Sequence, residues 1–207
     1  MAAPLRLGFL ASHAGSSMRA VVNAIGAGNL DAEAAIVISN NADAEALVFA
    51  RAHGLVGEHI SKKTAGSDAE ADRSILGAFE RTDVNLIVLS GYLRMVGPLT
   101  LERYRDRILN IHPALLPRYG GKGMYGRFVH EAVLAAKEDV SGASVHLVDE
   151  EYDHGPVISQ KTVQISPGET VDTLRDKVIA IEGALFVETL RQIADRGGVI
   201  LPAGARV

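Results

Sequence analysis

Apolar positions along the chain change period several times, and each change marks an element. The run LRLGFLA over 5–11 is almost continuously apolar and reads as a first, buried strand. The polar stretch SHAGSS follows. Met18, Val21, Val22 and Ile25 then recur at the i, i+3, i+4, i+7 spacing of one helix face, which Gly26 and Gly28 stop. AAIVIS over 34–39 reads as a second strand, Asp43 as the N-cap of a helix ending near Gly54, and EHIS as a weak third strand. A helix over 68–81 turns Ile75, Leu76 and Phe79 inward, and NLIVLSG over 85–91 is again a near-continuous apolar run. This β-α-β-α-β alternation predicts a parallel, doubly wound sheet with helices on both faces.

The second half changes character. After the strand ending in LNIH comes a helix carrying Val129, Ala132, Val133 and Ala136. Two strands, GASVHLVDE and PVISQKTVQI, are then separated only by EYDHG, so they are expected to pair antiparallel and make the sheet mixed. Thr170 reads as the N-cap of a long helix to about Arg196, ended by Gly197 and Gly198. No repeat, low-complexity tract or linker interrupts the pattern. The expectation is an α/β fold: a single-domain, doubly wound mixed sheet over 1–207, Rossmann-like over 1–100.

Composition narrows the class of partner. The 207 residues are 47% hydrophobic and 22% charged, ordinary for one globular core. A formal charge of −4 without a basic block argues against a nucleic-acid partner, though a local anion pocket fits it. No run approaches the roughly 18 apolar residues of a membrane span. The absence of cysteine rules out disulfides and thiolate zinc sites and suits a reducing cytoplasm. The N-terminus reads as a strand rather than a signal peptide.

Candidate chemistry gathers where strands end. Gly15, Ser16 and Ser17 stand at a helix start, where backbone N–H groups and the helix dipole attract an anion, although such a turn also serves simply as a cap. Arg94, in GYLRMVGP, either lies along its stem toward solvent or joins Leu93, Met95 and Val96 in a wall for a flat ligand. Asn110 and His112 are two residues apart, so in an extended segment they face the same way. An amide and an imidazole there could donate to a developing oxyanion. Asp153, seven residues beyond His146, could favour the charged form of His112 and take a proton from an attacking amine. That set suits acyl transfer to an amine without a covalent nucleophile. The bland alternative is a structural histidine and a hairpin turn at DHG. His146 reads as a buried supporting group, and the histidines show no metal-ligand spacing.

LNIHPALLP together with SGASVHLVDEEYDHGPVI resembles the folate-dependent formyltransferase family, whose hallmark is Asn-x-His with an Asp after a downstream strand. The likeness also takes in GSS of the first loop, VISNNADAEALVFARAHG, VLSGYLRMV and the last long helix. It implies formyl transfer from 10-formyltetrahydrofolate to the amine of glycinamide ribonucleotide, with small-molecule partners only, no metal, and a monomer or homodimer in the cytoplasm. Position by position it implies that Gly15, Ser16 and Ser17 hold the phosphate and that Glu182 contacts the ribonucleotide. Leu93, Arg94, Met95 and Val96 would line the folate pocket with Asn110. Asn110 would also hold the formyl oxygen, His112 would stabilise the oxyanion, and Asp153 would keep His112 charged. On this reading 1–100 is the phosphate-binding half and 101–207 the catalytic, folate-binding half. The chain departs from the family at Ser17, where Asn is more usual, and at Asp68, where many members carry a basic folate contact that Lys62 or Lys63 would have to replace. Relatives with an added nucleic-acid-binding or regulatory domain are longer, so neither addition is expected. The other readings are a different acceptor (another sugar amine, or water) on the same fold, or a non-enzymatic folate or nucleotide sensor.

Overall fold

The computed structural model describes residues 4–200, so the ends of the expected 1–207 domain lie outside the described residues. Seven strands form one sheet in the order β3-β2-β1-β4-β5-β6-β7. They are β1 (Leu5–Ala11), β2 (Ala32–Ser39), β3 (Val56–His59), β4 (Leu86–Leu89), β5 (Ile108–His112), β6 (Val140–Leu147) and β7 (Val157–Gln164). The first five pair in parallel, and β6 and β7 are antiparallel to their neighbours. The doubly wound mixed sheet expected from the hydrophobic alternation is therefore the fold found.

Helices cover both faces, which is why the central strands carry apolar residues at almost every position. Against one face pack α1 (Ser16–Gly26), α2 (Glu45–Ala52), α6 (Arg127–Ala135) and α7 (Val171–Asp195), around Phe9, Val37, Val88, Val145 and Phe186. Against the other pack α3 (Lys62–Ala65), α4 (Asp68–Arg81) and α5 (Pro98–Arg103), around Leu10, Ile38, Phe79, Ile87 and Tyr104. Thr170 caps α7 as expected, accepting from the N–H of Thr173. Asp72 of α4 is a buried carboxylate that accepts from the N–H groups of Leu99 and Thr100 and from the Thr100 hydroxyl, at 2.8, 3.2 and 2.6 Å. It fixes the start of α5, and with it the loop leaving β4.

Three expectations shift. Asp43 is not the cap of α2: the N-cap is Ala44, with no side-chain bond, and the Asp43 N–H is instead tied to Asn41 Oδ1 in a local turn. The third strand begins at Val56 rather than Glu58, because it adds to the sheet by pairing Ile36 with Val56. Leu76 is only partly buried, at the edge of the second core.

Candidate active site

The strand order reverses beside β1, with β2 on one side and β4 on the other, the place where such sheets leave a crevice beyond their carboxyl ends. A cavity of about 750 Å³ opens there. Its wall includes Gly15, Ser16 and Ser17 from the β1–α1 turn, Leu93 after β4, Asn110 and His112 from β5, Asp153 after β6, and Glu182 from α7.

The β1–α1 turn is built for an open helix start. Gly15 takes a left-handed conformation (φ 64) and no side chain caps α1. Ser90 Oγ accepts from the Met18 N–H at 3.0 Å, so the N–H groups ahead of it, on Ser16 and Ser17, remain at the cavity end of the helix. Ser12 joins this turn to the loop after β4: its hydroxyl donates to Asn40 Oδ1 and accepts from the Leu93 N–H at 2.8 Å.

Register between β5 and β6 assembles the polar centre. Asn110 stands opposite His146, and His112 opposite Ser144. His146 Nδ1 donates to the Leu147 carbonyl at 2.8 Å, which leaves Nε2 to accept from Asn110 Nδ2 at 3.0 Å. One amide hydrogen of Asn110 is thereby spent on orientation, and the second is free for a ligand. Asp153 arrives from a turn in which its own φ is 54, and Gly155 brings the chain back so closely that a Cβ there would sit 2.0 Å from the Leu147 carbonyl oxygen. Asp153 Oδ2 lies 3.3 Å from His112 Nδ1 and accepts from the Gly121 N–H at 3.0 Å, and Oδ1 lies 3.5 Å from His146 Nε2. Burial pushes the Asp153 carboxyl up, but the neighbouring His146 and His112 rings and the Gly121 N–H together outweigh it and hold it below the usual range.

His112 departs from expectation. Its Nε2 donates to the Tyr119 carbonyl at 2.7 Å, so both ring nitrogens face acceptors and only the imidazolium could donate to both. Asp153 and Tyr119 do favour that form, yet burial disfavours it more and the ring's pKa falls below the ordinary value. Asp153 thus opposes, without overcoming, the loss of charge that burial imposes. Glu182 is the other perturbed acid: burial alone pushes its carboxyl up to about 7.

The expected flat-ligand wall is only partly assembled. Leu93 lines the cavity, while Arg94 and Met95 are exposed outside its wall and Val96 turns into the core beneath the second helical layer. The backbone is left-handed at Gly91 (φ 67), where the chain leaves β4 for this loop. Lys62 and Asp68 pair with each other at 2.7 Å, and neither Lys62 nor Lys63 reaches the cavity wall. Tyr92, Ile111, Met124, Tyr125 and Tyr152 instead give the cavity its apolar and aromatic surface. Sequence reading missed four further groups. Ser144 Oγ donates to the Ala114 carbonyl and accepts from the Leu116 N–H, Gln160 donates to the Leu116 carbonyl, and the Tyr119 carbonyl holds His112. Lys122 is the fourth, on the cavity wall. Its lysine-among-glycines setting was the one signal available. Among the described residues no group of three or more His, Asp or Glu side chains is set to hold a metal ion.

A helix start open to an anion, a donor amide and a buried imidazole–carboxylate pair on one wall belong to a group-transfer site, and the chain is a member of the formyl transferase family, whose model matches residues 5–190. It is 31% identical to phosphoribosylglycinamide formyltransferase of Bacillus subtilis over 88% of this chain and 91% of that one. The chloroplastic phosphoribosylglycinamide formyltransferase of Arabidopsis thaliana is 32% identical over 92% of this chain and 65% of its own length. This chain therefore spans somewhat less than two thirds of the chloroplastic relatives it matches. Among solved structures, glycinamide ribonucleotide transformylase 1 from Symbiobacterium toebii superposes with a TM-score of 0.86 at 32% identity, over 93% of this chain and 88% of that one.

Proposed function

We propose that the protein transfers the formyl group of 10-formyltetrahydrofolate to the amine of glycinamide ribonucleotide, giving the N-formyl product and tetrahydrofolate in purine (IMP) biosynthesis. The observation that carries this reading is the convergence of Asn110, His112 and Asp153 on the same cavity as the α1 start and Glu182. Relatives bearing the name phosphoribosylglycinamide formyltransferase support it. The cavity fits two substrates: its volume and aromatic wall suit a pterin, and its open helix start suits a phosphate.

In this scheme Gly15, Ser16 and Ser17 hold the phosphate, and Glu182 accepts hydrogen bonds from the sugar. Leu93 and the aromatic wall receive the folate ring, while Arg94, Met95 and Val96 act from the loop behind it. The neutral amine attacks the formyl carbon, forming the new C–N bond and a tetrahedral oxyanion that collapses as the bond to the folate nitrogen breaks. Negative charge growing on the formyl oxygen meets the second amide hydrogen of Asn110. His112 joins once its Nε2–H exchanges the Tyr119 carbonyl for that oxygen, and its preset orientation limits the reorganisation needed. The amine proton passes to Asp153, held ionised by its surroundings, and is handed on from there to the departing folate nitrogen, which restores the carboxylate. Water displaced from the cavity by the two substrates strengthens each of these interactions. His146 keeps the Asn110 amide aimed. A single domain working in the cytoplasm on small molecules, as monomer or homodimer without nucleic acid or membrane, belongs to the same reading.

The test is absorbance-monitored release of tetrahydrofolate with and without glycinamide ribonucleotide. Release that requires the acceptor supports the reading. Release indifferent to it would mean a hydrolase, and release only with another amine would change the acceptor.

A further inference from the structure

Among the described residues that line the cavity, Lys122 is the one lysine or arginine, and the same wall carries the carboxyls of Asp153 and Glu182. The cations flanking it in sequence are committed elsewhere: Arg118 to Glu138, and Arg127 to Glu131 and Asp172. Lys122 has no ion-pair or hydrogen-bond partner of this kind among the described residues. Its backbone, by contrast, is held. The Met124 N–H donates to the Gly121 carbonyl at 3.0 Å, closing a turn with Lys122 and Gly123 at its centre. Gly123 has a φ of 91, the value that a type II turn demands at its third position and that glycine supplies without strain. Gly121 in turn donates its N–H to Asp153. A held backbone turn therefore carries, on the cavity wall, a lysine without a partner among the described residues.

The side of the sheet decides which substrate the Lys122 ammonium meets. The turn leads directly into α6, which packs with α1 and α7 on the first face, the face that also carries the start of α1 and Glu182. Tyr92 and Val96, from the loop after β4, pack on the opposite face. A phosphate monoester entering between two carboxyls is repelled by each that is ionised, and the helix start supplies only partial positive charge. We propose that Lys122 is a specificity-determining residue that grips the phosphate of the acceptor jointly with the α1 start, and so selects phosphorylated over unphosphorylated amines. This rests on the activity proposed above.

Lys122→Met and Lys122→Arg test it. A charge-assisted contact to phosphate is worth roughly 10-fold or more in affinity, so Lys122→Met should raise the acceptor KM by about that factor, with the change falling on KM rather than kcat. The arginine variant should recover most of it. The acceptor KM should also lose part of its dependence on salt in the methionine variant, because one fixed charge is gone. An unchanged acceptor KM overturns the proposal. So does a rise confined to the folate KM, which would place the ammonium on the carboxylates of the folate tail. Calorimetric binding of ribose 5-phosphate, with ribose as control, reads the same contact without catalysis: the wild type should bind the phosphate ester more tightly than Lys122→Met, and equal binding overturns the proposal. If the wild type shows no acceptor-dependent transfer, the activity reading fails by itself and the ribose 5-phosphate comparison still decides Lys122.

Discussion

Nδ1 of His112 lies 3.3 Å from Oδ2 of Asp153, with the two side chains only 3% and 10% exposed. Burial pulls the imidazole toward neutrality while the carboxylate pulls it toward charge, and burial prevails in the free site. The balance would tilt when negative charge develops on a substrate oxygen beside the ring. On the proposed mechanism, an imidazole poised this way would respond to the reaction rather than stand permanently charged.

Removing the carboxylate isolates that response. Asp153→Asn keeps the shape and the Gly121 contact but cannot accept the amine proton. Turnover should fall by roughly 100-fold or more, the scale of general acid–base catalysis. Calorimetric affinities for both substrates should stay close to wild type. Unchanged turnover would remove Asp153 from the mechanism.

Glu182 makes stability depend on pH in a stated direction. Its folded pKa of about 7 lies above the ordinary 4.5, so the folded protein holds this proton more tightly than the unfolded chain. The stabilisation is complete below about pH 4.5 and is lost as pH rises through about 7, a change of order 3 kcal/mol. Glu182→Gln should remove that slope in urea midpoints measured between pH 5 and 8. Acceptor affinity should run the other way. Sugar hydroxyls bind the carboxylate, so binding near pH 7 should release a proton, detectable by calorimetry in buffers of different ionisation enthalpy.

Ser144, fully buried, bonds the loop after β5 at Ala114 and Leu116. Ser144→Ala leaves a buried N–H and carbonyl unmet, which costs about 1–3 kcal/mol. The expected result is a lower denaturation midpoint together with reduced kcat, because the same loop carries Tyr119 to His112. Loss of stability with wild-type kcat would mean that the loop keeps its shape without the serine.

Asp72 is remote from the reaction but secures the start of α5. Asp72→Ala should destabilise by about 1–3 kcal/mol through the orphaned N–H groups of Leu99 and Thr100. Asp72→Asn should recover part of that, since one amide oxygen still accepts. Equal midpoints for wild type and Asp72→Ala would show that α5 does not need this cap.

Local pattern was enough to read β1 from its apolar run, α1 and the helix over 68–81 from their apolar faces, and the long α7 from its Thr170 cap and glycine stop, since each depends on neighbouring residues. Asn110, His112 and Asp153 were legible as chemical types, and two-residue spacing on β5 already put the first two on one side. Nothing local revealed that Asn110 would face His146, 36 residues away, because antiparallel register is set by how whole strands pack. The Tyr119 carbonyl was invisible for a simpler reason: every residue has one, and only folding aims it. Asp43 failed as a cap because the helix starts one residue later than expected, with Ala44 at the N-cap position. Arg94, Met95 and Val96 look like one wall in the sequence, yet the fold leaves the first two exposed outside the cavity and turns Val96 into the core. The charge of His112 was read from a carboxylate expected nearby, which was correct as far as it went. Desolvation, the larger influence, is a property of everything packed around the ring, and only the tertiary structure supplies it.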